Sequence, residues 1–209
     1  MGVKFANWFV KITAWPVQKI LLRLRISYEN PELKRIYTHG PFILVCNHNS
    51  VYDYAALMFA FFRRTLRVQM AEVLFQKPVL GRFLRMLGGI RVDRNAHSFS
   101  CIHESQHLLE NGWVVGIFPE GRLALPGETK PLAFQPGAAL LALETGVPVI
   151  PVAVSGVYFR ESIHIRIGAP LYLRQLTTEQ DEPGKTVNEA TRLLREKVIA
   201  LREEMDREP

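Results

Sequence analysis

Short apolar runs alternate with amphipathic stretches along most of this chain. Residues 41–46 are rich in strand formers and end at the polar pair Asn47-His48, and residues 52–62 then read as a helix apolar on nearly every side. A strand is expected at 66–70, a helix at 78–87, and a Gly88-Gly89 turn into a strand at 90–92. Residues 98–110 predict a helix closed by Asn111-Gly112, 113–118 a strand, and 136–145 a helix closed by Gly146. Residues 147–154 form the most β-branched strand, and 164–167 read as an edge strand. A capping box from Thr186 to Glu189 opens a C-terminal helix whose buried stripe is Val187, Ala190, Leu194, Val198, Leu201 and Met205. The polar stretch 176–185 is linker-like. The alternation predicts an α/β fold, a layered mixed sheet flanked by helices.

The first residues follow another rule. Phe5, Trp8, Phe9 and Ile12 repeat at i, i+3, i+4 and i+7, and Val17, Ile20, Leu21 and Leu24 do so again after Pro16. Two short amphipathic helices are expected, the second starting at the proline. Cations interrupt the apolar stretches well before the roughly 20 residues a bilayer-spanning helix needs. Lys11, Lys19 and Arg23 also break any signal-peptide core. Tryptophans beside cations suit the headgroup zone, so residues 1–35 are expected to form a membrane-surface element and 36–209 the main domain.

Charge supports that division. The chain carries a formal +6, of which residues 1–35 hold +5, leaving +1 for the rest. The basic character is therefore local, and without a basic block or aromatic RNA-binding signature in the body, nucleic acid is a poor partner. Cys46 and Cys101 sit in apolar contexts without CxxC spacing and read as free buried thiols.

Candidate chemistry lies where runs end. His48 and Asp53 are five residues apart, about 140° on a regular helix, so they face each other only across a turn between strand and helix. A carboxylate on one ring nitrogen leaves the other free to take a proton from an alcohol. Glu120, Gly121 and Arg122 place a carboxylate and a guanidinium on a turn after the 113–118 strand, suited to an anion.

Four blocks in order resemble the glycerolipid acyltransferases, the lysophosphatidate acyltransferases and their relatives. They are His48 to Asp53 (H-x₄-D), Gly89-Ile90-Arg91-Val92-Asp93-Arg94, Phe118-Pro119-Glu120-Gly121, and Val147-Pro148-Val149-Ile150-Pro151-Val152-Ala153. The resemblance implies that His48 deprotonates the acceptor hydroxyl and Asp53 orients it. It implies that Arg94, Glu120, Gly121 and Arg122 bind the glycerophosphate, and that the fourth block lines the acyl or acceptor pocket. It further implies direct acyl transfer without a covalent enzyme intermediate, a metal or an organic cofactor. The donor would be acyl-CoA or acyl-carrier protein, and the acceptor a lysophospholipid such as 1-acylglycerol 3-phosphate. The place of action would be the cytoplasmic face of a membrane, bound peripherally. The family's third block usually continues Thr-Arg; here Arg122 follows Gly121 directly and Leu123 stands at the usual arginine position.

Other readings compete. His103-Glu104-Ser105-Gln106-His107 has the zinc-hydrolase spacing on a predicted helix, but Glu110 stands where the extended motif needs glycine, and Glu128 is the only distant candidate for a third ligand. Cys46 and His48 share one strand face at i and i+2, which mimics a thiol–imidazole pair. A non-catalytic lipid-binding relative would keep the same fold.

Overall fold

The computed structural model describes residues 2–93, 100–176 and 183–207. In chain order the elements are α1 (Val3–Thr13), α2 (Trp15–Leu21), β1 (Arg25–Tyr28), α3 (Leu33–Ile36), β2 (Phe42–Cys46), α4 (Asp53–Ala60), β3 (Leu66–Ala71) and α5 (Glu72–Gln76). They continue with α6 (Pro78–Leu87), β4 (Ile90–Val92), α7 (Ser100–Glu110), β5 (Val114–Ile117), α8 (Gly137–Thr145), β6 (Val149–Ser155), β7 (His164–Ile167) and α9 (Pro183–Arg207). The apolar runs form one seven-stranded sheet, ordered β1-β7-β6-β2-β5-β3-β4. All neighbours are parallel except β6 and β7, so the sheet is mixed as expected.

Strand β2 is central and buried at every position, which is why its sequence is a continuous apolar run rather than an alternating one. Its side chains point alternately to the two faces. Ile43 and Val45 meet Leu109 of α7, Leu141 of α8, and Leu194, Val198 and Leu201 of α9. Phe42, Leu44 and Cys46 meet Leu33 of α3 and Ala56, Leu57 and Phe61 in and beside α4. The sheet is thus sandwiched between two helical layers.

Several expectations are corrected. Strand β7 lies inside the sheet, because β1 pairs with it and takes the edge. That strand falls within the residues 1–35 expected to be helical; the helices end at Leu21, leaving Leu24 outside them. Helix α9 begins at Pro183, before the Thr186 capping box. The linker-like stretch and the start of the 98–110 helix fall partly outside the described residues.

Helices α1 and α2, separated only by Ala14 in a near-helical conformation, form one N-terminal segment with inverted burial. Asn7, Lys11 and Gln18 face the protein, while Phe5, Trp8, Phe9, Ile12, Trp15, Val17, Ile20 and Leu21 stay 40–74% exposed. Polar anchors fix this orientation. Asn7 Nδ2 donates to Leu87 O at 2.7 Å. Lys11 Nζ donates to the carbonyls of Phe61, Phe62 and Arg64 at 3.3, 3.1 and 2.5 Å, capping the end of α4. Burial pulls the Lys11 ammonium down to about 8. Among the described residues no helix is long and apolar enough to cross a membrane.

Candidate active site

The chain leaves the central strand at the carboxyl end of the sheet, between β5 and β6, where open α/β sheets place their ligand crevices. Asn47 extends the ladder beyond β2: its Nδ2 donates to Val154 O at 2.9 Å and its Oδ1 accepts Val154 N at 2.8 Å. Asn49 Nδ2 also donates to Val154 O, at 2.6 Å. These bonds hold the turn carrying His48 against the end of β6.

Asp53 opens α4, and the turn before it folds His48 back onto the carboxylate. His48 Nδ1 lies 2.9 Å from Asp53 Oδ2. The same oxygen accepts Asn49 N at 2.7 Å and Ser50 N at 2.9 Å, and Oδ1 accepts Tyr158 OH at 2.7 Å. Asp53 is fully buried, so its charge is tolerable only because four donors surround it. Burial, then the neighbouring Asp53 charge, pushes the Tyr158 phenol far above its ordinary value, keeping it an O–H donor. With Nδ1 donating to Asp53, a neutral His48 ring carries its acceptor lone pair on Nε2. The ring stacks on Phe118, centroids 4.3 Å apart, and keeps 20% of its side chain exposed.

Glu120 is nearly buried. Its Oε1 accepts His48 N at 2.7 Å and its Oε2 accepts Leu132 N at 2.8 Å. Both oxygens therefore brace backbone, tying the His48 turn to the loop at Leu132. Gly121 closes the turn after β5: its N donates to Phe118 O at 3.0 Å, at a φ of +69° that strains any L side chain. Arg122 is exposed and forked onto Glu128, Nη1 to Oε2 at 2.6 Å and Nη2 to Oε1 at 2.7 Å. That fork, with the Leu125 N–H, holds the Glu128 carboxyl down at about 2. A groove of about 460 Å³ passes Phe118, Glu120, Gly121, Arg122 and Gln135. A second cleft of about 550 Å³ is lined by Asn49, Ser50 and Tyr158, the residues that hold Asp53. His48 touches Phe118 and Glu120 of the first, and Asp53 is held by the Asn49, Ser50 and Tyr158 of the second.

The sequence-predicted residues are distributed unevenly. His48, Asp53, Glu120, Gly121 and Arg122 gather at this edge; Arg94 lies outside the described residues. The fourth block is corrected: Val149, Ile150, Val152 and Ala153 are 0–1% exposed in the core and line neither cavity. The block contributes through the next residue, Val154, whose backbone holds both asparagines. Tyr158 and Leu132 escaped the sequence reading, and Glu128 entered it only as a distant zinc-ligand candidate, whereas it is forked onto Arg122. Nothing local marks Tyr158, which meets Asp53 across 105 residues.

The competing chemistries are placed as well. Cys46 is fully buried, and burial, followed by the Asp53 and Glu120 charges, raises its thiol well above the usual range. Its Sγ lies 3.9 Å from Asn47 Oδ1, on the strand face away from solvent. On α7, His103 Nδ1 sits 3.2 Å from Gln106 Oε1, and Glu104 lies 3.8 Å from Arg67. Among the described residues no three His, Cys, Asp or Glu side chains converge as metal ligands.

Comparison with known proteins agrees with this geometry. The chain is 26% identical over 188 residues to the 1-acyl-sn-glycerol-3-phosphate acyltransferase of Saccharomyces cerevisiae, covering 84% of this chain and 61% of that protein. It is 27% identical over 160 residues to the enzyme of that name from Bacillus subtilis, covering 74% and 78%. The human beta form shares 27% over 150 residues, 70% of this chain and 52% of its own length. The chain thus spans little more than half of the yeast and human relatives. The crystal structure of the 1-acyl-sn-glycerophosphate (LPA) acyltransferase PlsC from Thermotoga maritima superposes with a TM-score of 0.61 at 25% identity, over 93% of this chain and 78% of that one. The sequence profile of the acyltransferase family matches residues 25–155, from the edge strand β1 to the end of β6. The chain belongs to the acyltransferase family.

Proposed function

We propose that this protein transfers a fatty acyl group from a thioester donor, acyl-CoA or acyl-carrier protein, to the free hydroxyl of a lysophospholipid, with 1-acylglycerol 3-phosphate as the first candidate acceptor and phosphatidic acid as its product. The observation that carries this reading is the His48 Nδ1–Asp53 contact, buried on the carboxylate side and open on the imidazole side. The relatives named above add the substrate class.

In the proposed reaction His48 Nε2 takes the acceptor hydroxyl's proton while its oxygen bonds to the thioester carbonyl carbon. The carbonyl re-forms as the C–S bond breaks, and the departing sulfur takes the proton back from the imidazolium. The products are an ester and a free thiol. Asp53 holds the ring and offsets its transient charge, a role worth roughly 10²- to 10⁴-fold for a positioned base. Glu120 acts through the backbone of His48. Arg122, beside the Gly121 turn, meets the acceptor's phosphate, and Arg94 is assigned to the same headgroup by the family pattern.

The inverted burial of α1 and α2 supports action at a membrane surface. Their half-exposed apolar side chains would each gain roughly 1 kcal/mol on entering the bilayer interface. Lys4 and Lys19 flank them. A cytoplasmic face follows from where soluble thioester carriers are found. The reading has residues 3–21 as the peripheral membrane element of the chain.

The test is acyl transfer to 1-acylglycerol 3-phosphate from each donor, wild type against His48→Ala, with and without EDTA. Turnover that the substitution abolishes and EDTA leaves alone is expected. Wild-type protein inactive with both donors on this and other lysolipids would overturn the reading in favour of a lipid-binding role.

A further inference from the structure

The second cleft, distinct from the groove that Arg122 lines, holds cations that nothing above uses. Lys130 and Arg202 both line it, together with Asn49, Ser50 and Ser155. Nη1 of Arg202 is buried and has no hydrogen-bond partner. Arg202 as a whole is only partly buried and lines the cleft, to which it lends positive charge. The one carboxylate in the cleft, Glu161, accepts Val157 N at 3.2 Å and is not paired with Arg202.

This cleft is built rather than incidental. Arg195 Nη2 donates to Pro131 O at 2.8 Å and its Nε to Leu132 O at 3.0 Å, clamping the Lys130 loop to α9, the helix that carries Arg202. Glu120 ties the same loop to the backbone of His48 through Leu132 N. Lys130, Arg202 and the imidazole are therefore braced within one network. On the opposite wall Tyr52 and Phe159 stand edge to face, centroids 4.8 Å apart, each about half exposed.

Two cations, with hydroxyls and an aromatic wall, make a site for a phosphate ester that carries an apolar or planar part. Both substrates of the proposed reaction bear phosphate: the acceptor on its headgroup, the donor on the phosphopantetheine arm that ends in the thioester. With Arg122 facing the acceptor, the phosphate of the donor's phosphopantetheine arm, common to coenzyme A and carrier protein, remains to be placed. We propose that Lys130 and Arg202 bind the phosphate of the thioester donor, so that the two substrates approach His48 from different clefts.

This assignment rests on the acyl-transfer reading for its ligand, but its test does not need turnover. Binding of coenzyme A, glycerol 3-phosphate and inorganic phosphate to the full chain is measured by calorimetry, for wild type and for Lys130→Gln/Arg202→Gln. The double variant is expected to weaken coenzyme A roughly ten- to a hundred-fold, the loss that follows from removing charged hydrogen bonds, and to leave glycerol 3-phosphate unchanged. Arg202→Lys, which keeps the charge, is expected to recover part of the affinity. An unchanged thermal midpoint separates this effect from unfolding, and a shifted one directs the comparison to Lys130→Gln alone, whose side chain is exposed. Coenzyme A affinity that does not move, or glycerol 3-phosphate affinity that falls instead, overturns the assignment. Binding that depends on Lys130 and Arg202 in a protein without acyl transfer would leave this site standing and remove the reaction.

Discussion

Both terminal nitrogens of Arg122 are occupied by the two carboxylate oxygens of Glu128, at 2.6 and 2.7 Å. A carboxylate presents the same two-oxygen edge to a guanidinium as a phosphate does, so Glu128 sits where the acceptor's headgroup would bind. The pair is largely exposed, which limits its strength and makes it displaceable. Glu128→Gln is expected to lower KM for 1-acylglycerol 3-phosphate by roughly two- to five-fold with kcat unchanged, and Arg122→Ala to raise it. Steady-state kinetics on both variants decide the matter: a rise in KM in Glu128→Gln would show that Glu128 positions Arg122 rather than competing for it.

Tyr158 supplies the only bond to Asp53 Oδ1 among the described residues. Tyr158→Phe leaves that oxygen buried without a donor, and a loss of about 1.5–3 kcal/mol in stability is expected from denaturant titration. Asp53→Asn keeps the shape but presents an amide to His48 and to two backbone N–H groups, and kcat/KM is expected to fall by roughly 10²- to 10⁴-fold. Activity surviving in Asp53→Asn within a factor of a few would remove the orienting role.

Lys11 makes stability depend on pH in an unusual direction. Its folded value is lowered from 10.5 to about 8 by burial. Between those values the unfolded chain retains a proton that the folded chain has released, so unfolding free energy rises with pH, by up to about 1.4 kcal/mol per pH unit. Below pH 8 both states are protonated and this slope vanishes. Lys11→Met, measured by urea unfolding at several pH values from 7 to 10, is expected to lose the rise. Wild-type and variant curves that stay parallel would contradict it.

The outward side chains of α1 and α2 give a direct membrane test. Trp8→Ser/Phe9→Ser alters positions that are 55% and 50% exposed, so the fold is expected to persist. Removing that apolar surface should weaken binding to anionic lipid vesicles by roughly tenfold or more, read by sedimentation. Equal sedimentation of both proteins would argue that these helices face something other than lipid.

Local chemistry alone determined much of this protein. Strand β2, helices α6 and α8 and strand β6 were legible because period and breakers are properties of neighbouring residues, as was the outward stripe of α1. The His48–Asp53 pair was legible too, since five residues bounded by a strand end and a helix start permit one closing turn. Tertiary structure decided the rest. It made β1 the edge of the sheet and buried the fourth block. It made Glu120 a brace for a backbone 72 residues away, and brought Tyr158 to Asp53. It also set Arg202 beside Lys130. Partners so distant along the chain meet only when two helical layers close on the sheet, and no local pattern records which residue will lie opposite which.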